Sequence, residues 1–398
     1  MNVSPASLKK RSESGDPVDL CRAMVAIPSV NPLLEEGGAG EEALARLCGG
    51  WLEMWGYQVE LVEVAPGRWN VVARSGEQSD GRRLVLNGHL DTVGVKGMAH
   101  DPFEGAVRDE KVWGRGACDM KGGLAIILAA AAEFMKLRET DRHGSGELVV
   151  ALTADEEHAS VGMQAFVEGG LEADGAIVCE PTNLTVMPAH KGFLWLDATF
   201  KGKAAHGSRP DEGVDAILHA GRFLAKLEGL EKKLGAGQTH PLLGKPSFHA
   251  GTIRGGSAPS VYPHECELVM ERRTLPGEEK ERVFREFQKV LEDLEGEMPD
   301  LDADLRPGLY RPGTEVPESS ILVRTLLDSM EKEGLPRTVQ GMTAWVDAAF
   351  LNEAGIPAVC FGPGSIAHAH SAEEWVLVEE LEAGARVISR FVGEFLSA

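Results

Sequence analysis

Five apolar runs in this sequence each end in acids or histidine, and that pattern restricts the fold more than any other feature. The first is Val85-Leu-Asn-Gly-His-Leu-Asp-Thr-Val93. In an extended segment residues i and i+2 project to the same side, so His89 and Asp91 point together. Asp91 can then hold the second ring nitrogen of His89, which is how an outer carboxylate fixes the tautomer of a metal-binding imidazole. Taken alone, the tripeptide reads more readily as a polar strand end with an ordinary surface histidine.

The other four runs repeat the theme. Gly114-Arg-Gly-Ala-Cys-Asp-Met-Lys-Gly-Gly123 offers Asp119 in a glycine-rich turn before the helix-like run Leu124 to Phe134. Leu148-Val-Val-Ala-Leu-Thr-Ala-Asp-Glu-Glu157 ends in three consecutive acids, and Ala176-Ile-Val-Cys-Glu-Pro-Thr182 carries Glu180. Near the C-terminus, the run from Val359 ends in His368 and His370. The strand ends of an open α/β sheet are where ligands bind. Carboxylates and imidazoles gathered there suit a pair of borderline divalent ions such as zinc. Glu156 and Glu157 are adjacent and cannot both ligate one ion comfortably, which leaves one of them for proton transfer.

A length of 398 residues fits two or three domains, and a hydrophobic content of 43% supplies their cores. The balance of 40 basic against 62 acidic residues, a net charge of -22, argues against nucleic acid as a partner. The N-terminal stretch has no apolar segment after its positive charges. The longest uncharged apolar run, Leu124 to Ala132, is far short of the roughly 20 residues a membrane span needs, so no membrane association is expected. Cys21, Cys48, Cys118, Cys179, Cys266 and Cys360 lack CxxC spacing and read as reduced core thiols of a cytoplasmic protein. The piece Gly37-Gly-Ala-Gly40 lacks the ending of a P-loop, and no G-x-G-x-x-G follows a strand, which argues against nucleotide binding.

Helical spacing over Asp16 to Ala26 and Glu41 to Met54 alternates with short β-type runs at Gln58 to Val64, Trp69 to Ala73, Leu84 to Leu86, Leu148 to Leu152 and Ala176 to Val178. That order predicts an α/β sheet covered by helices. After His190 the pattern changes to strand (Phe193 to Lys201), helix (Val214 to Leu227), strands (Ser247 to Ile253, Glu265 to Arg272), helix (Glu278 to Leu294) and a last strand at Ala303 to Arg306. This order predicts an inserted ferredoxin-like sandwich, with the Pro-Gly pairs up to Gly313 as its exit linker. Helices at Ser319 to Lys332 and Ala344 to Glu353 and a strand at Ala358 to Phe361 return to the first sheet.

The segments GHLDTV, GRGACDMKGG, TADEEH, CEPT, AHKG, GKAAHGSRPDEGVDAI, ERRTLPGE and FGPGSIAHAHSAEEW occur in an order and spacing that resembles the di-zinc amidohydrolase and peptidase family. That family includes acetylornithine deacetylase, succinyl-diaminopimelate desuccinylase, aminoacylase and glutamate carboxypeptidase, and the EPT and HKG segments look closest to the acetylornithine deacetylase branch. The resemblance spans Asp19 to Phe395. It implies a mixed-sheet di-zinc catalytic domain over 1–190 and 312–398, with a ferredoxin-like lid and dimerisation domain at 191–311.

The same resemblance implies two zinc ions per chain, with cobalt or manganese as substitutes. Asp119 would bridge them, His89 and Glu180 would complete one site, and Glu157 and His370 the other. His370 rather than His368 matches the family pattern Ala-His with a Glu-aromatic pair behind it. Glu156 would be the general base for a water shared by the metals, with Asp91 catalytic beside it, and the Asp119–Met120 peptide would be cis. His206 resembles the histidine that family members project into the other subunit of a homodimer. Arg273 resembles the arginine that clamps a substrate carboxylate, with Arg272 on the opposite face of its strand. Ser260 stands where family members commonly have asparagine, and a serine still donates one hydrogen bond. The activity implied is hydrolysis of the amide of an N-acyl amino acid. Desuccinylase, dipeptidase and carboxypeptidase activities on short peptides are the alternatives on the same core, and a silent zinc-binding scaffold lacks a reason to keep Glu156.

Overall fold

The run Arg83–His89 and the run Glu147–Thr153 are buried along their whole lengths, which marks them as central strands covered on both faces rather than half-exposed ones. The computed structural model describes residues 11–76, 81–138 and 146–397. The chain forms two compact units, Met1–Pro188 with Val316–Gln340 and Val346–Ala398, and Ala189–Glu315 with Gly341–Trp345.

In chain order the larger unit contains α1 (Pro17–Val25), α2 (Glu42–Met54), β1 (Gln58–Ala65), β2 (Arg68–Arg74), β3 (Arg83–His89), β4 (Ala106–Arg108), β5 (Lys111–Trp113), a π turn at Ala117–Lys121, α3 (Gly122–Arg138), β6 (Glu147–Thr153), α4 (Val161–Glu168), β7 (Gly175–Val178) and the start of β8 (Val186–His190). The smaller unit follows with β9 (Gly192–Lys201), α5 (Ala216–Ala236), β10 (Ser247–Gly255), β11 (Glu265–Thr274), α6 (Lys280–Glu297), β12 (Asp302–Arg311) and β13 (Thr314–Glu315). The chain then adds α7 (Ile321–Lys332), β14 (Val339–Met342), α8 (Ala348–Glu353), β15 (Ala358–Cys360), β16 (Trp375–Leu377) and α9 (Val378–Leu396).

Within the larger unit the sheet runs β1-β2-β6-β3-β7-β15-β8. β6, β3, β7 and β15 are mutually parallel, whereas β1, β2 and β8 join antiparallel, so the sheet is mixed as expected. Helix α3 is buried from Gly122 to Ala132, and the core it shares with the strands is completed by Leu381, Ile388, Phe391 and Phe395 of α9. A small antiparallel sheet, β16-β5-β4, had no counterpart in the sequence reading, because three-residue strands carry too little periodicity to show.

The smaller unit has sheet order β10-β11-β9-β12, every neighbour antiparallel, with α5 and α6 between strands. This is the ferredoxin-like arrangement expected from the element order. Along β9, Leu194, Leu196, Ala198 and Phe200 alternate inward against Phe223 and Leu227 of α5 and Phe287 of α6. The stretch assigned to an exit linker is the second half of β12, which continues to Arg311 through a register shift between Pro307 and Tyr310. β12 is an edge strand, where a proline costs no ladder bond. The segment Gly341–Trp345, assigned to the catalytic domain and partly to a helix, belongs to the smaller unit, where Met342 O accepts the Lys191 N–H at 3.0 Å. The helix therefore begins only at Ala348.

Candidate metal centre

Parallel strands in register deliver their carboxyl ends to one place. His89 of β3 lies opposite Thr153 of β6, Asn87 opposite Val178 of β7, and Cys360 of β15 opposite the same Val178. The residues just beyond are His89 itself, Asp155 to Glu157, Glu180, and the segment leading to His370. Asp119 arrives from the π turn before α3. That turn needs a glycine at 116, where φ is 79° and a Cβ would lie 2.7 Å from Thr92 Cγ2. The Asp119–Met120 peptide is cis.

Asp119 presents one oxygen to each of two imidazoles. Its Oδ1 is 3.1 Å from His89 Nε2 and its Oδ2 is 3.4 Å from His370 Nε2. His370 Nε2 is also 3.0 Å from Glu157 Oε2. One donor atom each from His89, Asp119 and Glu157 lie within 4.8 Å of one another. Glu156 diverges from its neighbour, with Oε2 4.0 Å from His89 Nε2. Glu180 is buried, and among the described residues its Oε1 has no hydrogen-bond partner. His368 is not gathered with the acids: its ring packs, tilted by 39°, against Trp375 with centroids 4.0 Å apart.

The electrostatics of the cluster are those of a cation site. Burial, with Asp119 second, pushes the Glu180 carboxyl up to about 8. Burial also raises Glu156 well above the usual carboxylate range, against the attraction of His89. Burial opposes ionisation of Asp119 too, but hydrogen bonds from His370 and His89 outweigh it and hold the group below its ordinary value. Those bonds from Asp119 and Glu157 in turn raise His370 to about 10. Four acids and two imidazoles crowded into a buried site, with one carboxylate oxygen unsatisfied, form a donor set that divalent metal fits.

The expected bond from the Asp91 carboxylate to His89 is replaced by another arrangement. His89 Nδ1 is 3.0 Å from the Asp91 backbone oxygen, and the carboxylate stands at 3.7 Å. The carboxylate instead accepts the N–H groups of Glu156 at 3.1 Å and Glu157 at 3.3 Å. A strand that ends at residue 89 no longer imposes i, i+2 alternation, so the Asp91 side chain turns to the acidic loop. Residues missed in the sequence lie around this carboxylate: Asn31, Arg68 and Glu41 are all buried. Asp347, at the N-cap of α8, is buried and near enough to raise both Glu156 and Glu180. Its only signal was a lone acid before an apolar helix; Arg68 and Asn31 gave none.

In the smaller unit, His206 is exposed and its Nδ1 lies 2.8 Å from Ser208 Oγ. Ser260 sits beside it, its carbonyl accepting the Gly207 N–H at 2.7 Å. Arg273 is half-buried; its Nε donates to Glu271 at 2.6 Å and its guanidinium lies 5.5 Å from the Phe193 ring centroid. Arg272 is fully buried against Glu278 at 2.9 Å, the opposite disposition that strand alternation requires. The six cysteines are buried free thiols.

Residues 85–394 match the sequence profile of the peptidase family M20/M25/M40. An acetylornithine deacetylase of Myxococcus xanthus is 35% identical over 355 residues, covering 86% of this chain and 90% of that protein. One from Proteus mirabilis is 29% identical over 392 residues, covering 96% and 97%. Among solved structures, a tripeptidase from Staphylococcus aureus superposes with a TM-score of 0.79 at 21% identity, covering 97% of this chain and 99% of that one. A dinuclear metal binding peptidase of the M20 family from Bacillus subtilis gives 0.73 at 17% identity, covering 97% and 99%. Among the described residues no helix is long and apolar enough to cross a membrane.

Proposed function

The chain belongs to the peptidase family M20/M25/M40 and is a hydrolytic enzyme, and from that premise we propose that it removes the acyl group from an N-acyl amino acid, in the manner of acetylornithine deacetylase. The observation that carries this reading is the split between two neighbouring acids: Glu157 meets His370 at 3.0 Å, while Glu156 is turned toward His89 at 4.0 Å. A site built only to store or display metal has no use for a second, diverging carboxylate.

His89, Asp119 and Glu180 would hold one ion, and Asp119, Glu157 and His370 the other. Zinc bound there, or cobalt or manganese in its place, would polarise the scissile carbonyl and make water a nucleophile near neutral pH. Glu156 takes the proton of the attacking water and passes it to the leaving amine, a task suited to a carboxyl whose burial holds its pKa above the usual range. Asp91 acts through the loop N–H groups it accepts, which aim Glu156.

The remaining roles belong to the smaller unit. Arg273 is held by Glu271 through Nε and by Phe193 through its face, so its terminal nitrogens are the ones that meet a substrate carboxylate. His206 donates to the developing oxyanion in a partner subunit, with Ser260 supplying a further hydrogen bond. A homodimer through this unit is supported by its uncovered edge strand β10 and by the exposed Ile217, Leu218 and Ile253. Buried free thiols suit a cytoplasmic setting.

The test is to incubate the metal-loaded protein with N-acetyl, N-succinyl and N-formyl amino acids and with dipeptides, scoring amine release. Turnover of N-acetyl amino acids above the rest is expected. Preferential hydrolysis of N-succinyl substrates or dipeptides would move the protein to another branch of the family, and no turnover of any would overturn the reading.

A further inference from the structure

Behind the metal ligands lies a buried polar assembly that no metal role explains. Arg68, the first residue of β2, donates through Nη1 to Asp155 Oδ1 at 2.7 Å and through Nε to Glu41 Oε2 at 2.8 Å, with Nη2 on the other Glu41 oxygen. Asn31 is fully buried, and its amide nitrogen donates to Asp91 Oδ2 at 2.8 Å and to Asp155 Oδ1 at 3.0 Å. Its oxygen accepts the Leu33 N–H at 3.0 Å, which fixes the amide orientation. Asp155 has φ 70°, a left-handed backbone for a non-glycine residue. Its carbonyl accepts the N–H groups of Ser160 at 2.6 Å and Ala159 at 3.1 Å, closing the turn on the other side. The reversal at Asp155 is what brings the Glu156 and Glu157 N–H groups onto Asp91.

Three buried carboxylates around one guanidinium form a poor device for stability, because a buried ion cluster is often no better than apolar packing of the same volume. Its evident product is geometric. We infer that Asn31 and Arg68 are positioning residues: they lock Asp155 to Asp91 and so fix the direction in which the loop presents Glu156. The catalytic part of this inference rests on the role proposed for Glu156; the loop-fixing part does not.

The primary variant is Asn31→Ala, which removes a neutral group and leaves every buried charge with its guanidinium. Two measurements are made on the full chain. Amide hydrogen exchange of the metal-free protein should show the Glu156 and Glu157 N–H groups exchanging at least about tenfold faster, with Leu152 in β6 unchanged. In the metal-loaded protein kcat should fall roughly 10- to 100-fold with KM within about threefold, as expected of a misaimed group. Arg68→Lys, which keeps the charge and loses the fork, should show the same pattern and replaces Asn31→Ala if that chain does not fold. Unchanged loop exchange, faster exchange with unchanged kcat, or uniformly faster exchange across the core would each overturn the inference. A wild-type protein that hydrolyses no N-acyl amino acid overturns the functional reading instead, and the exchange result then stands by itself.

Discussion

Glu374 accepts the backbone N–H of Asp119 at 3.1 Å, and the same oxygen accepts that of Cys118 at 3.0 Å. Its other oxygen pairs with the buried Arg115 guanidinium. A carboxylate four residues beyond His370 therefore holds the turn that carries Asp119. Glu374→Gln preserves the volume but weakens these charge-assisted bonds, and metal affinity should fall roughly 10- to 100-fold, as for other outer partners of metal ligands. Competition against a chelator measures this; an unchanged affinity would remove Glu374 from the metal centre.

Replacement of the two neighbouring acids should separate chemistry from metal binding. Glu156→Ala is expected to keep both metals and lose nearly all turnover, whereas Glu157→Ala loses one metal. Metal analysis paired with steady-state rates decides between them. Comparable activity in Glu156→Ala and wild type would sink the proposed mechanism.

Close approach of α3 to the end of β7 leaves no room for a side chain at Gly123. A Cβ there would lie 2.0 Å from the Cys179 backbone oxygen, so Gly123→Ala must push helix and strand apart just behind Asp119 and Glu180. Overpacking of this kind costs roughly 1–3 kcal/mol, and urea unfolding should register at least that. A midpoint equal to wild type would show that the helix shifts freely.

Acid sensitivity should arise at His190 in the smaller unit. Burial pushes its pKa down to about 4, while Nε2 stays 2.8 Å from Thr314 Oγ1. Between that value and the ordinary 6.5 the unfolded chain binds more protons than the folded one, so stability is present above 6.5 and is lost as pH falls toward 4. The loss amounts to roughly 3 kcal/mol by the lower end. His190→Gln should show a pH dependence flatter by roughly 2.5 kcal/mol between pH 7 and 4.5 in urea unfolding. Equal slopes for the two proteins would exclude His190 as the source.

If His206 serves the partner's metals, a His206→Ala chain mixed with a Glu156→Ala chain should regain activity. Half of the sites in such a heterodimer combine an intact His206 with an intact Glu156. Differently tagged chains verify that subunits have exchanged, and proven heterodimers without activity would place His206 in its own chain's site.

Much of this architecture was legible because burial writes itself into composition. β3 and β6 are covered on both faces and appear as unbroken apolar runs, and β9 alternates because one face of its sheet is covered. The acids at the strand ends stood out against those runs. Arg68, Asn31 and Glu41 did not, since their partners lie 27 to 124 residues away and an isolated polar residue gives no sign of what it will meet. The Asp91 reading failed for a related reason: alternation holds only while the strand continues, and the strand ends at His89. The exit linker was misplaced because Pro and Gly at a sheet edge look like a loop until the neighbouring strand is known.

The division of the chain into Ala189–Glu315 plus Gly341–Trp345 against the remainder means that the polypeptide passes between the two units at four points. During synthesis the smaller unit therefore waits for a segment that emerges only after α7, and the larger one waits for Phe391 and Phe395 in its last helix. Neither unit is complete before the other has begun, unlike domains that follow one another along a chain. A gene fragment cut at Ala189 and Glu315 would encode a product lacking Gly341, whose backbone packs against Leu242 and Leu243 in the intact protein.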